Sequence, residues 1–274
     1  MTATQPLPIL ITFDGEARSG KGTIVQATKD YLRDSEKRNV MLIDAGQVFR
    51  VLVVAATRAG IHLDDPAAID AFLGDDTNIQ SCVQLVKDVY HMEKDERDTL
   101  LYTNEVGSNS AKIGARPLSQ QFKDNLLKRW LMDARAESVE VVLLDGRALE
   151  EVGTALENES LCDFRLGLYF ICDSIVGARR TLGFANRSYD DLDDNEKASV
   201  DALVSQIDAR NEADEKRAVQ PLVRPSGVAI SHLPVIEPNT QSGRPMFLLD
   251  TSAEMSKHDM SDSVIELVSK YISG

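Results

Sequence analysis

Apolar residues along the chain fall into two kinds of pattern. Short unbroken runs recur at intervals: Ile9–Phe13, Val40–Asp44, Val139–Asp145, Phe164–Asp173 and Met246–Asp250. They are rich in β-branched and other apolar residues with little alternation, as expected of strands buried on both faces of a sheet. Between them apolar positions return at helical spacing. Ile24, Ala27, Tyr31 and Leu32 mark one helix, and residues 47–58, 78–90 and 117–134 carry others, with a closing helix from about residue 259. Asp65-Pro66 has the form of a helix cap with proline at the first helical position. Strands alternating with helices predict an α/β fold, a doubly wound parallel sheet of five strands.

Three stretches break this rhythm. Residues 60–110 are polar and helical without a strong central strand, and read as an insert on the sheet core. Residues 183–197 (GFANRSYDDLDDNEK) are polar and acidic between two helices, and read as a mobile cap. Ser231–Pro245 carries three prolines and a Ser-Gly, the composition of a surface loop or hairpin.

Composition narrows the class. Of the 274 residues, 43% are hydrophobic and 27% charged, enough for a packed core and unlike a disordered chain. Apolar runs such as Val51–Ala56 fall far short of the ~20 residues needed to cross a bilayer. The opening MTATQPLPILITF lacks the basic region and cleavage site of a secretory leader. Three cysteines are too few for a disulfide framework, so a reduced, cytoplasmic protein is expected. A net charge of -14 argues against nucleic-acid polymers and anionic membranes as partners. A monomer is expected. Four scattered histidines show no metal spacing. The acidic run Asp190–Asp194 lacks the glycine and final glutamate of a calcium loop.

The sharpest local signal is Gly15-Glu-Ala-Arg-Ser-Gly-Lys-Gly-Thr23, a GxxxxGK pattern followed by Gly-Thr. It lies between a buried strand and a periodic helix. Such a loop turns backbone N–H groups inward around phosphate oxygens, and glycines permit the dihedrals required. Gly15, Ser19, Gly20, Lys21, Gly22 and Thr23 are therefore the expected ATP-binding residues. Lys21 supplies a point charge to the β/γ-phosphates, the helix start adds its dipole, and the Thr23 hydroxyl suits Mg²⁺.

Further segments, in order, resemble the cytidylate kinase family of P-loop nucleoside monophosphate kinases. Asp44-Ala-Gly-Gln-Val-Phe-Arg50 resembles its DSGxxYR segment, and residues 103–117 resemble EVxxxxSxVAxxP. Leu144-Asp-Gly-Arg147 resembles its DGRD strand end, residues 209–222 resemble RDxxDxxRAxxPL, and Leu249-Asp-Thr-Ser252 its final LDTS. The resemblance implies phosphoryl transfer from ATP, with Mg²⁺ as cofactor, to a pyrimidine nucleoside monophosphate, CMP or dCMP first. It implies a kinase core (1–59, 113–181 and 207–274), a monophosphate-binding insert (60–112) and a lid (182–206). It also implies that Arg50, Arg147, Arg210 and Arg217 hold the acceptor phosphate, that Asp214 contacts its ribose, and that Arg179 and Arg180 meet ATP phosphates. Lys21, Arg147, Arg180 and Arg217 are then the catalytic set. Asp145, at a strand end, joins Thr23 on the metal. Such chemistry is mostly positioning and charge compensation, and guanidinium suits it because it grips a phosphate through two N–H bonds.

The departures from the family cluster in the base pocket. Ala45, Ala111 and Ala148 replace a serine, a serine and an aspartate, and Gln120 replaces an arginine among the monophosphate-binding residues. Three hydrogen-bonding groups become methyls and one cation becomes an amide, which changes what the pocket prefers. Three readings stay open: cytosine read by other residues such as Asn109, Lys112 or Arg116; a kinase of altered base specificity, for UMP or dTMP; and a non-catalytic nucleotide-binding homologue. Arg18 stands where the family usually has glycine, either reaching the transferred phosphate or pointing into solvent.

Overall fold

The structure is a computed structural model that describes residues 5–238 and 244–273. Along the chain run β1 (Ile9–Gly15), α1 (Lys21–Asp34), β2 (Val40–Asp44), α2 (Ala45–Arg58), α3 (Pro66–Leu73), α4 (Asp76–His91), α5 (Lys94–Leu101), α6 (Asn104–Gly114) and α7 (Pro117–Ala136). Then come β3 (Val141–Asp145), α8 (Leu149–Asn158), β4 (Asp163–Ile171), α9 (Ser174–Thr181), α10 (Asp194–Glu215), β5 (Ile230–His232), β6 (Met246–Asp250) and α11 (Lys257–Ser273).

The strands form one sheet in the order β2-β3-β1-β4-β6-β5. β1 pairs parallel with β3, Ile9 opposite Val141 and Phe13 opposite Asp145, and on its other side with β4. The sheet has six strands where five apolar runs predicted five. The sixth, β5, lies at the start of the stretch read as a loop and pairs parallel with β6. Three residues, Ile-Ser-His, are too short and too polar to register as an apolar run; the strand is held by its neighbour and by a 2.9 Å contact between His232 Nδ1 and Asp250 Oδ2. Within the same stretch, residues 239–243 lie outside the described residues.

The chain divides into two compact units. The first, Met1–Ile43, Trp130–Lys216 and Pro221–Gly274, holds the sheet core. Alternate residues of its strands, Ile11 and Phe13, Val141 and Leu143, Leu166, Leu168 and Phe170, Phe247 and Leu249, meet Ile24 and Leu32 of α1 and Val264 and Val268 of α11 in one buried cluster. α8 packs against β1 and β4. β1 lies between β3 and β4, the place where strand order reverses, and ligands of such sheets bind at the carboxyl ends of the strands there. The second unit is Asp44–Arg129 with Arg217–Gln220, wider than residues 60–112. Its α2 packs on α4, α5 and α6, so the Asp44–Arg50 segment goes with these helices.

Residues 182–206 comprise two kinds of structure. Residues 182–193 form turns that bring Leu192 onto Ala17, Ala178, Val200 and Ile207. The acidic run ends in a capping box: Asp193 accepts from the Asn195 and Glu196 amides at 2.9 Å, and Glu196 accepts from the Asp193 amide, so α10 begins at Asp194. No helix among the described residues is long and apolar enough to cross a membrane.

Candidate active site

The loop after β1 is shaped by close approach. Gly15 has φ 134°, and a Cβ there would fall 2.1 Å from the Phe170 carbonyl oxygen of β4, so only glycine lets β1 end against β4. Gly20 is left-handed (φ 80°) and caps α1 without a side-chain hydrogen bond to its first amides. Gly22 has an ordinary helical backbone and open space around it. Ser19 is buried and its hydroxyl donates to the Glu16 carbonyl at 3.0 Å. Arg18 is exposed with φ 59°, a left-handed position that costs an arginine what it spares the family's glycine.

Several side chains from distant parts of the chain support this loop. The Ala17 amide donates to Asn211 Oδ1 of α10 at 2.8 Å. Glu16 is buried and accepts from Arg224, whose Nε lies at 2.9 Å. Thr251, in the LDTS segment, has its hydroxyl 2.8 Å from the Ser19 carbonyl. Beneath the loop, buried Asp14 accepts from the amides of Gly15 (2.6 Å), Ala148 (3.1 Å) and Leu149 (2.6 Å). Burial holds its carboxyl above the ordinary carboxylate range, against the pull of the Leu149 amide and the Lys21 charge. A charged residue closing a buried strand was the available signal for Asp14. The other supports depend on contacts 194 to 232 residues apart.

Lys21 and Asp145 form an ion pair, with side chains 14% and 15% exposed. Thr23 is exposed in the first turn of α1. Arg147 is ion-paired with Asp214, which is 8% exposed. Arg210 is exposed one turn before Asp214 on α10.

Arg179 and Arg180 have protein partners in the segment after β6. Arg179 is buried, with Nη1 2.7 Å from Glu254 and Nη2 near the Phe184 and Ala185 carbonyls. Arg180 donates to the carbonyls of Thr251 (2.7 Å) and Ala253 (2.6 Å). Both brace the 251–254 loop, and Thr251 in turn braces Ser19.

In the second unit, Arg50 on α2 is half-buried and donates from Nη1 to the Leu101 carbonyl at 3.0 Å, with Tyr102 against its guanidinium. Arg217 is half-buried just beyond α10. Gln120 is 2% exposed, and its amide donates to the Gly114 carbonyl at the α6–α7 turn. Lys112 is ion-paired with Asp64 at 2.6 Å, and Arg116 with Asp70. Ala45 is buried.

A family model described as cytidylate kinase matches residues 11–232. The chain belongs to the cytidylate kinase family. Membership makes it an ATP-dependent nucleoside monophosphate kinase. It is 30% identical over 219 residues to the cytidylate kinase of Aeromonas hydrophila subsp. hydrophila, covering 80% of this chain and 83% of that one. The Aeromonas salmonicida enzyme is 29% identical over 220 residues (80% and 83%). The Vibrio cholerae serotype O1 enzyme is 29% identical over 223 residues (81% and 86%).

Proposed function

We propose that this kinase transfers the γ-phosphoryl group of Mg-ATP to a pyrimidine nucleoside monophosphate, CMP or dCMP, giving ADP and the nucleoside diphosphate. The observation that carries the reading is the phosphate loop closed by Gly15 and Gly20, with Lys21 paired to Asp145 at the adjoining strand end. Amides of the loop and of the first turn of α1 hold the β- and γ-phosphates, and Lys21 leaves Asp145 for them. One hydroxyl and one carboxylate, Thr23 and Asp145, fit Mg²⁺, which takes few protein oxygens and completes its shell with phosphate oxygens and water. Bound there, the ion neutralises charge on the phosphate chain.

An oxygen of the acceptor phosphate attacks the γ-phosphorus, and the bond from that phosphorus to the β,γ-bridging oxygen breaks, releasing ADP. In this reading Arg50, Arg147, Arg210 and Arg217 hold the acceptor phosphate and compensate charge on the transferred group, and Asp214 exchanges Arg147 for the ribose hydroxyl. Residues 182–206 act as the lid that keeps water from the γ-phosphate. Arg179 and Arg180 meet the ATP phosphates in this reading, leaving their contacts with the 251–254 loop to do so.

A second reading is a broadened base preference. It is favoured by Gln120, Lys112 and Arg116, each committed to a protein partner, and by the methyls at Ala45, Ala111 and Ala148. Rates of ATP-dependent transfer to CMP, dCMP, UMP, dTMP, AMP and GMP test both. Activity confined to CMP and dCMP sustains the first; comparable kcat/KM for UMP or dTMP replaces it with the second; no transfer to any of the six refutes both.

A further inference from the structure

Tyr102 lies just before the 103–117 segment, and it links both ends of the segment that carries Arg50. It is the C-cap residue of α5, and the preceding Leu101 is fully buried, so the backbone at this point is anchored. Its phenol donates to Asp44 Oδ2 at 3.0 Å, and the phenol oxygen accepts from Gln47 Nε2 at 3.4 Å. The other carboxylate oxygen of Asp44 caps α2 through the Gln47 amide at 3.0 Å. The Tyr102 ring then lies against Arg50, whose guanidinium carbon is 4.6 Å from the ring centroid. Partial burial, on a residue still 43% exposed, and the Asp44 carboxylate push the phenol above its ordinary pKa, so it stays a neutral donor.

An arginine side chain is long and flexible, and an anion site gains from having it fixed before the anion arrives. Two contacts fix this one: the Leu101 carbonyl, which takes an Nη1 hydrogen, and the aromatic face, which holds the guanidinium plane without consuming further donors. The hydroxyl keeps the ring in place by tying it to the cap of the helix from which Arg50 projects.

We infer that Tyr102 is a positioning residue for Arg50, holding its guanidinium ready for the acceptor's phosphate through a chain that runs from the α2 cap carboxylate to the phenol to the ring. The inference rests on the reading of Arg50 as an acceptor-phosphate ligand.

The test uses the full chain with Tyr102→Phe and Tyr102→Leu. Loss of the ring is expected to raise the KM for the monophosphate about tenfold, with the KM for ATP within twofold of wild type. Phe, which keeps the ring and loses only the tether, is expected to restore most of the affinity. A merely structural tyrosine would lower stability and leave the acceptor KM unmoved. An unchanged acceptor KM in Tyr102→Leu, or equal rises for both substrates, overturns the inference. The Arg50 Nε–H resonance, recorded without nucleotide, reports placement independently of turnover. It is expected to be sharp and slow to exchange in wild type and Tyr102→Phe, and broadened in Tyr102→Leu. An unchanged resonance in Tyr102→Leu overturns the positioning role. Failure of the wild type to phosphorylate any monophosphate overturns the functional reading instead, and the resonance then decides the placement alone.

Discussion

The ammonium of Lys21 is ion-paired with the carboxylate of Asp145, joining the start of α1 to the end of β3 with both side chains about 15% exposed. Each charge therefore stabilises the other, and removing one strands its partner. Lys21→Met is expected to lower phosphoryl transfer by about 10²–10³-fold or more, the usual cost of deleting a donor aimed at developing charge. It is also expected to lower stability by about 1–3 kcal/mol, because Asp145 is left without its cation. The double variant Lys21→Met, Asp145→Asn should recover stability without recovering activity. Urea unfolding and steady-state kinetics on the four proteins of the cycle measure both effects. A double variant no more stable than Lys21→Met would show that the pair contributes nothing to the fold.

Arg147 and Asp214 form the second pair, deeper than the first, at 15% and 8% exposure. Breaking a buried pair by neutralising one partner typically costs about 3–5 kcal/mol, since the other charge stays buried alone. Asp214→Asn is expected to approach that loss in urea titrations, and to raise the KM for the monophosphate more than that for ATP. Arg147→Met, which removes the charge and keeps apolar volume, leaves the Asp214 carboxylate uncompensated and should cost a similar amount. A loss below about 1 kcal/mol for both variants would mark the pair as solvated rather than buried.

Much of this site could be read from the sequence, because its chemistry is local. Gly15, Gly20 and Lys21 sit within one short loop between an apolar run and a helical repeat, so spacing alone brought them together. Asp65 capping α3 with Pro66 behind it was equally local. The contacts that the sequence did not reveal share one cause. Arg179 and Arg180 have partners, Glu254, Thr251 and Ala253, that lie 71 to 75 residues away and leave no trace in local pattern. The hydrogen bond from Gln120 to the carbonyl of Gly114 at the α6–α7 turn was not visible in the sequence either. β5 escaped because a three-residue edge strand is defined by the neighbour it pairs with rather than by its own apolar content.

The cysteines give a test of burial that needs no nucleotide. Burial pushes the Cys82 thiol up to about 11 and the Cys162 thiol up to about 12, the latter aided by Glu157 and Asp163. The thiolate is the reactive form, so at pH 8 only ~10⁻³ of Cys82 and ~10⁻⁴ of Cys162 is ionised. Cys172 is half-buried, and burial raises its thiol too, with Thr251 and Arg180 pulling the other way. Alkylation at pH 8, followed by peptide mass spectrometry, is expected to label Cys172 first. Cys82 and Cys162 should react only after unfolding in urea. Rates in the folded protein should rise about tenfold per pH unit, because the thiolate fraction does so well below the pKa. Rapid native labelling of Cys82 would contradict its fully buried place on α4.

Ala148 stands at the start of α8 with φ 57° and ψ 46°, as a helix cap without a side-chain hydrogen bond. A left-handed conformation costs an alanine about 1–2 kcal/mol, whereas asparagine tolerates it and glycine is free of the penalty. The backbone cannot relax easily, because the Ala148 amide is one of the three that satisfy buried Asp14. Ala148→Asn and Ala148→Gly are therefore expected to raise stability by about 0.5–1 kcal/mol, visible as a higher Tm. Ala148→Asp restores the residue type the family carries here, but brings a second carboxylate near Asp14, whose own carboxyl burial already holds above the ordinary range. Raised in the folded state, the Asp14 pKa contributes stability below the unfolded value, and that contribution fades as pH rises through the folded value. Another negative charge raises it further, so Ala148→Asp should be less stable than Ala148→Asn, by a margin that widens with pH from 4 to 7. If the alanine accounts for altered base preference, the same variant should shift kcat/KM toward CMP while Ala148→Gly does not. Equal selectivity in the two variants would remove position 148 from the set that reads the base.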